Sequence, residues 1–89
     1  MAELAERWQS YVDDIEADLQ IVRIENEMED TFRIYYVSDN SFADGNLYLD
    51  FKHILKRIYP QHKFTLLHIR DASGHFVTRK ELSRLAYHI

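Results

Sequence analysis

The chain reads as a single small α+β domain. About three helices pack mainly on one face of an antiparallel or mixed sheet, in the order α-β-β-α-β-β-α. Three observations predict this. Leu47, Phe51, Ile54, Leu55 and Ile58 recur at helical spacing through NLYLDFKHILKRIY, residues 46–59. Phe32, Ile34 and Tyr36 alternate with Thr31, Arg33, Tyr35 and Val37 at the period of a strand. Thr78 stands three residues before Glu81, the spacing of a helix capping box.

Residues 2–19 form the first predicted helix, with an apolar stripe of Leu4, Trp8, Tyr11, Val12, Ile15 and Leu19. Glu3, Glu6, Asp13, Asp14 and Asp18 crowd its remaining surface and read as a solvated acidic face. Trp8 reads as a core anchor. Residues 20–26 form a strand, with Val22 and Ile24 on the core face and Ile21, Arg23 and Glu25 on the other. Glu27 to Asp30 makes the turn into the strand at 31–38. Its second face, with Tyr35 and Val37, is more apolar than a solvated face needs. These two residues are therefore candidate partner contacts.

Residues 39–45 have turn chemistry. Asp39 and Asp44 suggest calcium, but their spacing does not fit the twelve-residue calcium loop and no Glu closes it. Gly45 and Asn46 then supply a break and an N-cap for the central helix. Pro60 stops it. Lys52, Lys56 and Arg57 occupy its polar face. Leu47, Leu49 and Phe51 also alternate behind Asp44-Gly45, a hairpin signal, so a strand over 46–50 with a shorter helix behind it is the second reading. Residues 63–70 form the next strand. Asp71 to Gly74 turns the chain and His75 to Val77 returns briefly. The last helix follows Thr78, with Leu82, Leu85, Ala86 and Ile89 as its stripe. The helices should cover a sheet face bearing Val22, Ile24, Phe32, Ile34 and either Leu66 or Leu67.

The 89 residues make one domain with a thin core, and no Cys is present to staple it or to build a Cys-based zinc site. Two glycines, Gly45 and Gly74, are too few for a phosphate-cradling loop. No nucleophile elbow appears, and His53, His68 and Asp50 form no visible acid–base pair. The histidines lack the close spacing of zinc ligands. The reading is therefore non-enzymatic, with no catalytic residue, cofactor or metal. The start, MAELAERWQ, lacks a basic region before an apolar core, and no apolar run approaches a membrane span. A cytoplasmic protein with no membrane partner is expected.

Charge is distributed unevenly. Residues 1–50 carry thirteen acids and three bases, a net of −10. Residues 51–89 carry two acids and eight bases, a net of +6, and all five histidines. With 13% aromatics and no catalytic motif, this profile predicts a small regulatory or adaptor module that docks on another protein. Small proteins of phages and mobile elements often look this way. Candidate partner contacts are Tyr35, Val37, Lys52, Lys56, Arg57, Arg79, Lys80 and Arg84. The opposed halves also predict a homodimer weakened by salt. The alternative is a nucleic-acid-binding protein that uses residues 52–84, whose bases interleave with Tyr59, Phe64 and Phe76, with Tyr87 just beyond.

Overall fold

The computed structural model describes residues 2–39 and 45–82, with backbone only for residues 2 and 45–48. The elements are α1 (Ala2–Asp14), β1 (Gln20–Met28), β2 (Thr31–Val37), α2 (Gly45–Ile58) and β3 (Lys63–His68). A third helix starts at Arg79 and is described as far as Leu82. The fold is α+β, and its sheet is mixed. The strand order is β1-β2-β3, with β1 antiparallel and β3 parallel to β2. A parallel pair needs a crossover, and α2 supplies it.

One face of the sheet carries the core. Trp8 and Val12 from α1 and Phe51 and Leu55 from α2 are fully buried. They cluster with Ile21 and Ile24 of β1, Phe32, Ile34 and Tyr36 of β2, and Phe64 and Leu66 of β3. Trp8 is the anchor that its position predicts. Its ring meets Phe32 and Phe64 edge-on at 5.4 and 5.6 Å. Aromatic pairs favour that edge-to-face geometry because positive ring edges meet negative faces. Its indole N–H points to the Tyr59 hydroxyl at 3.5 Å.

The helix reading of 46–58 holds over the strand reading. The helix starts one residue earlier than the cap assignment, at Gly45, so Asn46 lies inside its first turn. Its buried line is narrower than its apolar stripe. Phe51 and Leu55 are enclosed, Ile54 is half-buried, and Ile58 and Leu49 are exposed. Leu47, Leu85, Ala86 and Ile89 lie outside the residues whose side chains are described, as do Asp44 and Arg84.

α1 stops at Asp14 and not at Leu19, because the chain takes a left-handed step. Glu16 has φ +53°. The Glu16 N–H donates to Asp13 O and the Ala17 N–H to Val12 O, at 3.0 and 3.2 Å. This is a Schellman closure of the helix end, with Glu where glycine is usual. Leu19 still reaches the core, from the loop that follows.

β1 departs most from simple alternation. Ile21 pairs with Tyr36 and Arg23 with Tyr35, so Val22 is an extra residue, and a second slip falls between Asn26 and Met28. A bulge places two residues opposite one and resets which face each side chain takes. Ile21 and Ile24 therefore turn inward, and the expected core residue Val22 is exposed.

Candidate docking surface

The opposite face of the sheet is the site of interest, because α1 and α2 both pack on the core face. Val22, Arg23, Tyr35, Leu67, His68, Ile69 and Arg70 line an open groove of about 600 Å³ on it. Three elements build it. The bulge in β1 delivers Val22 and Arg23 together. Alternation in β2 brings Tyr35 out, and alternation in β3 brings Leu67 beside it, as its register partner. Ile69 and Arg70 follow where β3 ends.

Polar contacts fix part of this face. The Arg23 guanidinium lies over the Tyr35 ring at 4.4 Å and pairs with Glu25 at 3.1 Å. The Tyr35 hydroxyl donates to Glu25 at 3.3 Å. Arg33 Nε donates to Glu27 at 2.9 Å. Hydrogen bonding with Tyr35, and then the charge of Glu27, raise the Arg33 pKa above the ordinary guanidinium value. Exposed to water and salt, these pairs add little to stability. Their stronger effect is geometric, since they hold Tyr35 upright at the groove wall.

On its His68 and Arg70 side the groove borders an aromatic stack. Tyr36, which belongs to the core, His68 and Phe76 stack at interplanar angles of 30° and 29°, with centroids 4.9 and 4.6 Å apart. Arg70 covers Phe76 at 4.5 Å. His68 Nε2 donates to Val77 O at 2.9 Å, which requires the proton on that nitrogen. The stack rests on a turn in which the Asp71 carboxylate accepts from the Ser73 and His75 amides, both at 2.9 Å, and Gly74 takes φ +84°. The predicted return strand reduces to a bridge between Arg70 and Phe76.

The structure separates the residues singled out in the sequence. Tyr35 lines the groove. Val37 does not, because it is fully buried. It sits where β2 ends, between Tyr36, whose carbonyl accepts from the Ile69 amide, and Ser38, whose hydroxyl bonds Asp18. Lys52, Lys56 and Arg57 lie on α2, with Lys52 and Lys56 in a different pocket. Lys80 is exposed at the start of the third helix. Arg79 belongs to a clasp between the two halves of the chain. Its guanidinium lies 3.6 Å from Asp18, and its amide donates to Asp39 at 3.0 Å. Asp18 also accepts from Ser38 Oγ and from the Asp39 amide. Part of the acidic half thus meets the basic half within one molecule. Tyr59 and Phe64, read as stacking aromatics, are packed in and against the core.

Of the residues weighed for acid–base work or metal binding, His53 and Asp50 are exposed on α2, and His75 is exposed at its turn. Among the described residues, no group of three or more His, Cys, Asp or Glu is placed to hold a metal ion. No described helix is long and apolar enough to cross a membrane. Sequence reasoning missed Val22, Arg23, Leu67 and Ile69 as surface residues, while Arg70 falls within the basic stretch 52–84 that it singled out. Only the register slip in β1 exposes Val22, and alternation alone does not signal it. No family model matches the chain, and neither a curated protein nor a solved structure matches it.

Proposed function

We propose that this is a small non-catalytic binding module, an adaptor or regulator, that docks on another protein through the open face of its sheet. The groove carries the reading. Apolar Val22, Leu67 and Ile69 line it together with Tyr35, Arg23 and Arg70. An apolar lining with tyrosine and arginine is the composition of interface hot spots. Both guanidiniums are held over aromatic rings, which reduces the entropy lost on binding. Arg70 has no ion pair among the described residues. The fitting partner is an acidic protein segment with an apolar anchor, and a second copy of the chain is one such occupant.

The test is crosslinking with a photoreactive residue at position 35 or, as control, at the exposed α2 position Asp50. Sedimentation equilibrium of the wild type and Leu67→Glu accompanies it. Expected is a discrete adduct from position 35 only, lost on adding Leu67→Glu. If the partner is a second copy, a micromolar dimer should also be abolished by Leu67→Glu. A strict monomer with no adduct at position 35 beyond the control would overturn the reading.

A further inference from the structure

A second concavity lies between α2 and the start of β3. Leu49, Lys52, His53, Lys56, Lys63 and Phe64 line an open pocket of about 360 Å³. Half of the lining residues are lysines, one is a histidine and none is acidic. Lys52 and Lys56 stand one helical turn apart, a spacing at which like charges repel. Lys63, the first residue of β3, adds a third positive charge. Among the described residues no ion pair reaches any of the three lysines. The Lys56 ammonium donates to His62 O at 2.7 Å, which fixes its position and leaves its charge uncompensated. The rest of the wall is apolar. Phe64 is buried and Leu49 is 48% exposed.

We propose that this pocket binds a phosphate group carried on an apolar or planar body, such as a nucleotide. Converging cations beside low-dielectric walls concentrate anions. Ammonium groups bind phosphate as point-charge donors, without the planar fork by which guanidinium groups grip carboxylate and phosphate alike. Several ammonium groups arranged around a centre match the several oxygens of a phosphate. Bound phosphate relieves the repulsion between Lys52 and Lys56. Leu49 and Phe64 offer contact for the body that carries the phosphate. The volume fits one small ligand. The proposal rests on residues separate from the open sheet face, so either can fail without the other.

The phosphate can belong to a free metabolite or to a nucleic-acid strand, and one titration distinguishes them. Amide NMR spectra of the full chain are followed with inorganic phosphate, adenosine monophosphate and a short oligothymidylate, at low and moderate salt. Expected are saturable shifts centred on Lys52, His53, Lys56 and Lys63. Lys52→Gln and Lys63→Gln should each weaken binding by roughly fivefold, the effect of one nearby charge in water. Both sites are on the surface, and unchanged spectra elsewhere verify the fold of the variants. A strand that binds more than about tenfold tighter than the mononucleotide, with a steep salt dependence, assigns the ligand to nucleic acid. Equal affinities assign it to a free phosphate ester. No saturation by about 10 mM ligand, or affinities that the two variants leave unchanged, overturns the proposal.

Discussion

Gln9 of α1 occupies the edge of the sheet by pairing with Ile21 of β1. Its side-chain oxygen accepts from the Ile21 amide at 2.7 Å, while its NH₂ donates to Leu19 O at 3.0 Å. The carboxamide thus behaves as one residue of a neighbouring strand. It satisfies a donor and an acceptor that an edge strand leaves open, and an open edge invites pairing with other chains. The NH₂ group also reaches Asp13 at 3.0 Å, which holds it in place.

Gln9→Met keeps the length of the side chain and removes both bonds. Loss of stability by about 1–3 kcal/mol is expected, because two part-buried backbone groups lose their partner. Urea denaturation followed by Trp8 fluorescence measures it. A midpoint equal to the wild type would mean that water replaces the amide at no cost.

Glu16 holds the left-handed position at the end of α1, where a side chain is strained and glycine is not. Glu16→Gly should stabilise the protein by about 0.5–1 kcal/mol, after the greater freedom of glycine in the unfolded chain is subtracted. A lower melting temperature for the variant would contradict the Schellman geometry.

In α2 the cost of truncation should follow burial. Leu55→Ala is expected to lose about 2–5 kcal/mol through lost transfer energy and a residual cavity. Ile54 is half-buried and Ile58 is 45% exposed, so alanine there should cost less, with Ile58 the mildest. Equal losses at all three would place the helix in a different rotation.

The Asp18 clasp predicts a local effect. Asp18→Ala removes the acceptor for Ser38 Oγ and the Asp39 amide, and the ion pair to Arg79. Ser38 is 1% exposed, and loss of this one acceptor from its hydroxyl should cost about 0.5–1.5 kcal/mol, the net worth of a hydrogen bond. Hydrogen exchange should quicken at the amides of Asp39 and Glu81, the latter donating to the Thr78 hydroxyl. Unchanged protection at both would show that the clasp does not tie the third helix to the loop between α1 and β1.

Much of the fold was legible because it is written in local periods. Phe32, Ile34 and Tyr36 face inward as their alternation predicts, and Phe51 and Leu55 are enclosed as their helical spacing predicts. Thr78 caps a helix because a hydroxyl three residues before an amide is within reach of it. Pro60 ends α2 because its ring excludes helical angles in the residue before it. Each of these depends on neighbours within a few positions.

The surface was less legible, because accessibility depends on residues distant in sequence. Val22 and Val37 both exchanged roles. A bulge set by pairing with β2 turned Val22 outward, and Val37 is fully buried where β2 ends. The charge split was visible residue by residue, but only folding brought Asp18 to Arg79, and only the union of α2 with β3 gathered Lys52, Lys56 and Lys63. By itself the sequence determined where most of the helices and strands lie, and most of the side chains that fill the core, since both follow from periodic burial along one element. Tertiary structure alone decided that β3 runs parallel to β2, and which side chains remain exposed to bind a partner. Register, bulges and long-range packing are properties of pairs of elements, and a pattern along one element does not contain them.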